Sequence, residues 1–350
     1  MNRRDLVSLL AASAALMKVP AALAARPALG PRCRAILDND LSGDPDGLFQ
    51  LVHHLLSPDV DVRLIVGSHY RSMGEWGKAG QQSAQGAAKA IQVLELMGLT
   101  KRPKVLAGAE WAIDSPEQGA RTPAAEAIIA EAMREDSPLP LFYCAGASLT
   151  DLAMALRLEP RIAQRMTLVW IGGGEHPGLG LPLPGPRQAE YNMTIDIAAA
   201  QQVFNHSDLP VWQVPRDVYR QLIVTQAELD ERVRRAGPLG AWLMEQLDGI
   251  LAMVAGLPPS AGLRVGETYV LGDSPLVTLT ALQTFFEPDT ASSPFVERPR
   301  PAITKDGWYG KPSRGKAIRV YTRIDTRLTF EDFYAKLAGF ERARQGLAGR

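Results

Sequence analysis

A chain of 350 residues, 46% hydrophobic and 22% charged, is long enough for a substantial core in one large domain or two. Its 38 basic and 38 acidic residues cancel, so it lacks the basic excess that marks a binder of nucleic acid polymers. No apolar run reaches the roughly 18 residues that a membrane-spanning helix needs.

Residues 1–25 read apart from the rest. Asn2-Arg3-Arg4-Asp5 precedes an apolar segment from Val7 to Met17 and a small-residue stretch, Ala22-Leu23-Ala24. A charged start, a short apolar centre and small residues at the end describe a secretory signal peptide. The paired arginines point to the twin-arginine route. The expectation is an exported protein, periplasmic or secreted, with residues 30–350 forming one domain. Only two cysteines occur, Cys33 and Cys144, and both read as buried free thiols rather than a disulfide framework.

Ala35-Ile36-Leu37 is a short apolar run that ends in Asp38-Asn39-Asp40-Leu41-Ser42-Gly43-Asp44-Pro45-Asp46, which carries four carboxylates. The pattern predicts a buried strand that runs into an acidic loop. Leu48, Leu51, Val52 and Leu55 fall on one helical face. Val60 to Val66 predicts a second strand, Ala87 to Met97 a helix, Val105 to Gly108 a third strand, and Ala124 to Met133 another helix. Leu141 to Cys144 predicts a fourth strand, and Thr150 or Asp151 is placed to cap the helix after it. Leu168 to Ile171 predicts a fifth strand, entering Gly172-Gly173-Gly174. Glu175 to Ala189 is a long Pro- and Gly-rich loop of the kind that often carries function. A helix over Ile195 to Phe204 and a strand over Val211 to Val214 follow. Helical patterning dominates from Thr225 to Met253 and again from Leu276 to Leu282. Phe286 to Gly315 reads as a surface excursion, Ala317 to Tyr321 as a late strand, and Phe330 to Leu347 as a closing helix.

Alternating units with continuous apolar strands predict an α/β fold, a mainly parallel sheet with helices on both faces. Ligands of such sheets bind beyond the C-terminal strand ends, where the acidic loop lies. Four close carboxylates repel one another unless protons or a cation compensate. Hard oxygen donors without paired Cys or His favour Ca²⁺ or Mg²⁺.

Several segments in order resemble the inosine–uridine-preferring nucleoside hydrolase superfamily. The first loop is similar to its D-x-D opening, in the branch with a lengthened G-x-x-P-D loop. Gly146-Ala147-Ser148-Leu149-Thr150-Asp151-Leu152-Ala153 looks like its G-x-L-T-N-x-A segment. Glu190-Tyr191-Asn192 resembles its E-F-N, and Gly272-Asp273-Ser274-Pro275 its late H-D-P. The resemblance spans about Arg34 to Leu282 and implies an open, nucleoside-hydrolase-like sheet. It also implies a Ca²⁺ held by Asp40, Asp46, a backbone carbonyl in the region of Ala145, and Asp273, with Asp38 and Asp44 as further partners. It implies cleavage of the N-glycosidic bond of a ribonucleoside or related riboside, with Asp40 as general base and Glu190 and Asn192 on the sugar. Homo-oligomers are common in the family, though no feature of this sequence decides the state.

The chain also departs from the family. One carboxylate of the first loop is lost to Pro45 or Gly47, and the histidine before the late Asp is Gly272. His69 and His176, on loops that should open onto the same strand ends, are candidates to replace that acid. Trp111, Trp170 and Tyr191 could stack on a base or simply fill the core, and Glu190, Asn192 and Asp273 could act as helix caps. Two other readings stand beside the hydrolase. One is a non-catalytic, Ca²⁺-dependent sugar- or glycoside-binding protein. The other is a haloacid-dehalogenase-type phosphatase, suggested by Asp38-Asn39-Asp40-Leu41-Ser42 but lacking an acid where Val277 stands.

Overall fold

Every residue of the first strand, β1 (Cys33–Asn39), is buried. Alternate side chains enter two different cores: Cys33, Ala35 and Leu37 pack on one side of the sheet, Ile36 on the other. Such double burial is why the strand reads as a continuous apolar run rather than as an alternation. The computed structural model describes residues 30–70, 80–181, 184–185, 187–258, 262–284, 291–312 and 316–348. The expected leader, residues 1–25, lies outside the described residues.

The strands that follow are β2 (Val60–Gly67), β3 (Lys104–Ala107), β4 (Leu141–Ala145), β5 (Thr167–Ile171) and β6 (Val211–Val214). Next come a small antiparallel pair, β7 (Ile223–Thr225) and β8 (Thr268–Val270), then β9 (Phe295–Arg298), β10 (Pro301–Ile303), β11 (Tyr309–Pro312) and β12 (Ile318–Tyr321). The main sheet runs β3-β2-β1-β4-β5-β6-β12-β9. All its neighbours are parallel except β9, which closes the edge antiparallel to β12. Pro31–Arg350 forms one compact unit.

The strand order reverses at β1, which pairs with β2 on one side and β4 on the other. Crossovers leave β1 and β4 in opposite directions, so a crevice opens beyond Asn39 and Ala145. In open parallel sheets that crevice is where ligands bind.

Three local expectations are corrected. The helix Thr150–Leu158 is not capped by Thr150 or Asp151; Leu149 holds the N-cap position without a side-chain bond. The Asp151 carboxylate instead accepts from Ala109 N (3.0 Å) and Thr122 Oγ1 (3.0 Å), tying two neighbouring loops together. The helix expected over Ile195 to Phe204 is two helices, Tyr191–Ile195 and Ile197–His206, divided where Asp196 turns out of helical geometry to cap the second. The expected surface excursion from Phe286 to Gly315 contains three strands, one of them part of the main sheet. Both cysteines are free and buried. Their side chains enter the same core, but Cys144 pairs with Leu37, four residues along β1 from Cys33.

Since Ile36 and Leu37 fill separate cores, Ile36→Ala and Leu37→Ala should each cost about 2–5 kcal/mol. Equilibrium denaturant unfolding checks this; an unchanged midpoint in either variant would show that its face is not packed as described.

Candidate active site

At the end of β1, successive side chains do different work. Asp38 points into the sheet's interior, where the Ser68 and Tyr143 hydroxyls bond its two oxygens. It holds β1 to the end of β2 and to β4 and does not line the crevice. Asn39 is the joint of the site. Its Nδ2 donates to Asp273 Oδ2 (2.8 Å) and to Gln50 Oε1 (3.3 Å), while its Oδ1 accepts from Asp40 N (2.9 Å). One amide thus fixes the late aspartate against the first loop. Room for it comes from two glycines: a Cβ on Gly47 or Gly146 would lie 2.8 or 2.4 Å from the Asn39 amide nitrogen. A side chain at either position would displace that amide.

A cavity of about 280 Å³ sits above this joint, lined by Asp40, Asp44, Asp46, Glu190, Asn192 and Asp273, with Gly146, Tyr191 and Tyr219 among its other walls. Six of the residues proposed from the sequence therefore meet in one place. Asp46 begins the helix Asp46–Leu55, whose N-terminal dipole favours its charge, and its Oδ2 accepts from Asp273 N (3.2 Å). Asp44 stands exposed at the rim, bonded to the Tyr269 hydroxyl.

Glu190 does cap the next helix, accepting from Asn192 N (3.1 Å) and Met193 N (2.9 Å), and still lines the cavity. It also accepts from Gly173 N and from the Tyr219 hydroxyl, each at 2.8 Å. Asn192 is no cap. Its Nδ2 donates to Gly146 O (3.0 Å) and Ile171 O (2.8 Å), so the amide oxygen is the atom it offers as an acceptor. Asp273 is not a cap either, since Ser274 takes that position.

The structure moves three expectations. Ala145 is fully buried and paired on both sides, to Asp38 and Trp170; the residue that reaches the cavity is Gly146, one step beyond the ladder. Neither candidate histidine stands in the acidic cavity. His69 is buried and its Nδ1 donates to Ala109 O (3.1 Å). His176 belongs to a neighbouring cavity. Burial lowers the pKa of both, which leaves less of the protonated imidazolium to donate a proton. Trp170 is fully buried core, whereas Tyr191 borders the acidic cavity. Sequence reasoning missed Asn39, Tyr219 and Tyr269, whose partners lie 29 to 234 positions away.

The electrostatics are those of a cation site. Burial, then the Asp273 charge, pushes the Asp40 and Asp46 carboxyls well above their usual range. Burial first, with Asp44 and Glu190 adding to it, raises Asp273 to about 7. Buried carboxylates in such proximity keep protons or take up a cation. Among the described residues no three Asp, Glu, His or Cys side chains stand in a ready coordination polygon. Two of the carboxylate oxygens are instead engaged by hydrogen bonds, Asp273 Oδ2 from the Asn39 amide and Asp46 Oδ2 from the Asp273 N–H. An all-oxygen donor set of buried acids fits a hard divalent ion.

Residues 35–258 match the family described as inosine-uridine preferring nucleoside hydrolase. The chain is 37% identical over 121 residues to a protein of that name from Leishmania major, a match that covers 34% of this chain and 36% of the relative. It is 26% identical over 303 residues to the pyrimidine-specific ribonucleoside hydrolase RihA of Citrobacter koseri, covering 80% and 85%. Among solved structures, the purine-preferring ribonucleoside hydrolase of Gardnerella vaginalis shares the fold with a TM-score of 0.63 at 20% identity, over 89% of this chain and 99% of that one.

Carboxyls raised in the fold above their unfolded values stabilise it only while protonated. The cation-free protein should therefore lose stability as pH rises from about 4 through 7. Excess Ca²⁺, at ~100 times its dissociation constant, should return about 2–3 kcal/mol at pH 7.5 and far less at pH 5. Thermal unfolding with Ca²⁺ and with a chelator checks it; equal melting temperatures at pH 7.5 would count against a cation site.

Proposed function

The chain belongs to the inosine-uridine preferring nucleoside hydrolase family, and from that premise we propose that it hydrolyses the N-glycosidic bond of a ribonucleoside or related riboside with Ca²⁺ as cofactor. The observation that carries the reading is the cavity at the β1–β4 crevice, in which Asp40, Asp46 and Asp273 face Glu190 and Asn192.

Asp40, Asp46 and Asp273, with the carbonyl of Gly146, would hold the cation, which supplies Lewis acidity toward water and a template for two sugar hydroxyls. The chain's own groups do the rest. Asp40 is a buried carboxylate with a raised pKa, hence a better base than an exposed one and suited to take the proton of attacking water. The amide oxygen of Asn192 and the Glu190 carboxylate accept hydrogen bonds from sugar hydroxyls. Cleavage builds positive charge on the sugar ring, and the surrounding carboxylates stabilise that charge more than they stabilise the neutral ground state.

Leaving-group chemistry is where this chain differs. Gly272 occupies the position of the family's histidine, and a Cβ there would meet the Tyr219 ring at 3.3 Å and Asp46 Oδ2 at 3.4 Å. Tyr219 is itself held to Glu190, so a larger side chain at Gly272 would be tightly packed against that wall, and none is there to donate a proton. This favours substrates whose aglycone departs with little protonation. It is also the observation that keeps a second reading alive, a Ca²⁺-dependent riboside-binding protein. The leader at residues 1–25 would place either activity outside the cytoplasm.

A reducing-sugar assay on inosine, uridine and p-nitrophenyl riboside tests the proposal. The expected ranking puts the activated riboside first. Asp40→Ala should lower kcat by about 10³-fold or more, by removing both the base and a cation ligand. Asn192→Ala should lower kcat/KM ~10–100-fold with the fold retained, the two lost bonds to Gly146 O and Ile171 O costing about 1–3 kcal/mol. Saturable binding of these compounds with no sugar released from any of them would select the binding-protein reading.

A further inference from the structure

The helix Asp46–Leu55 and the helix Pro275–Thr280 share one apolar core, in which Leu48, Leu51 and Val52 pack with Leu276, Val277 and Leu279. Two polar side chains of the first helix are buried there as well: Gln50 is 1% exposed and His54 is fully enclosed. Apolar residues would fill the same space without the cost of taking amide and imidazole out of water. These are also the helices that carry acids of the crevice, Asp46 at the start of one and Asp273 two residues before the other.

Gln50 and His54 belong to one hydrogen-bond chain, and its polarity follows from its far end. The Thr280 hydroxyl donates to Leu276 O (2.6 Å), a carbonyl that can only accept. Toward His54 Nε2, 3.0 Å away, Thr280 is therefore an acceptor, so His54 carries its proton on Nε2 and offers Nδ1 as a lone pair. Burial first, with the nearby His53 and Lys336 adding to it, lowers the His54 pKa to about 3 and keeps the ring neutral. Gln50 must then turn Nε2 toward His54 Nδ1 and Oε1 toward Asn39.

That leaves the Asn39 amide one arrangement. Its Nδ2 faces Gln50 Oε1 (3.3 Å) and Asp273 Oδ2 (2.8 Å), and its Oδ1 faces Asp40 N (2.9 Å). Turned over, it would set its oxygen against the Asp273 carboxylate and Gln50 Oε1, and its nitrogen against the Asp40 N–H. A polarity fixed at Thr280 thus arrives at the crevice as a donor aimed at Asp273.

We infer that Gln50 and His54 are positioning residues for the cation site, which through the Asn39 amide hold the Asp273 carboxylate in register with Asp46. Neither lines the acidic cavity, and both act through a bonded neighbour. The inference rests on the reading of Asp40, Asp46 and Asp273 as cation ligands. Groups that orient metal ligands in this way typically carry ~10–100-fold in metal affinity.

Calorimetric titration of the intact, chelator-stripped chain with Ca²⁺ tests it, with melting temperatures taken on the same samples. Gln50→Leu/His54→Leu removes both partners of a buried bond together, so the fold should keep its stability. Its Ca²⁺ dissociation constant should nevertheless rise tenfold or more. Gln50→Met, which keeps the side-chain volume, should weaken Ca²⁺ to the same extent and decides the matter if the paired variant does not fold. His54→Asn, whose Oδ1 can stand in for Nδ1, should stay within threefold of the parent. A constant within twofold of the parent's in Gln50→Met, or a tenfold loss in His54→Asn as well, would overturn the inference. A parent protein that takes up no Ca²⁺ sinks the cation reading by itself, and the inference is then decided in chelator by the effect of Asp273→Ala on melting temperature. A shift that differs by about 2 °C or more between the parent and the Gln50→Met background supports the link to Asp273, as groups in one hydrogen-bond network do not act additively. Shifts that agree more closely overturn it.

Discussion

Mutual repulsion among carboxylates confined at the C-terminal end of a parallel sheet governs how this chain is built. Asp40, Asp46 and Asp273 come from two segments more than two hundred residues apart, and burial strips them of the water that would screen their charge. Left alone they would keep protons or push the crevice apart. The fold opposes this with the Asn39 amide, the Asp273 backbone N–H and the N-terminus of the helix at Asp46, each of which offers a donor or a positive dipole end to a particular oxygen. A divalent cation would complete the compensation. The remaining features of the crevice, from the small residues at Gly47 and Gly146 to the rim tyrosine at Tyr269, serve to keep these groups in place.

The parallel sheet was legible because its strands are buried on both faces and so read as unbroken apolar runs, from Cys33–Asn39 to Val211–Val214. The acidic loop was legible for the opposite reason, since carboxylates so dense after such a strand need compensation, although the sequence did not show that Asp38 is a structural tie to Ser68 and Tyr143 while Asp40 and Asp46 line the cavity. Contacts across long separations were not. Nothing near Asn39 indicates that its partner is Asp273, and nothing near His54 indicates that its ring bonds Thr280. The strand Phe295–Arg298 and the hairpin around Trp308 were hidden because each strand is only three or four residues long and lies among prolines and charges. The shift from Ala145 to Gly146 turns on where the strand ladder ends, which is set by pairing to β1 and β5 rather than by local sequence.

Glu190 stands between two cavities. It caps a helix, receives the Gly173 amide and the Tyr219 hydroxyl, and separates the acidic cavity from the neighbouring one that holds His176. A residue with that many bonds is rigid, and rigidity is what a group placing a sugar needs. Family membership supplies the chemistry expected of the acidic side. The second cavity is walled by the long loop after β5 and by the late hairpin around Trp308.

The most direct test of the central claim is turnover followed as Ca²⁺ is titrated into chelator-stripped protein, with bound metal counted in the same samples. Sugar release from p-nitrophenyl riboside should rise in step with one tightly bound ion per chain, and Asp273→Asn should abolish both together. Full turnover in metal-free protein, or one bound ion per chain without any release, would contradict the account.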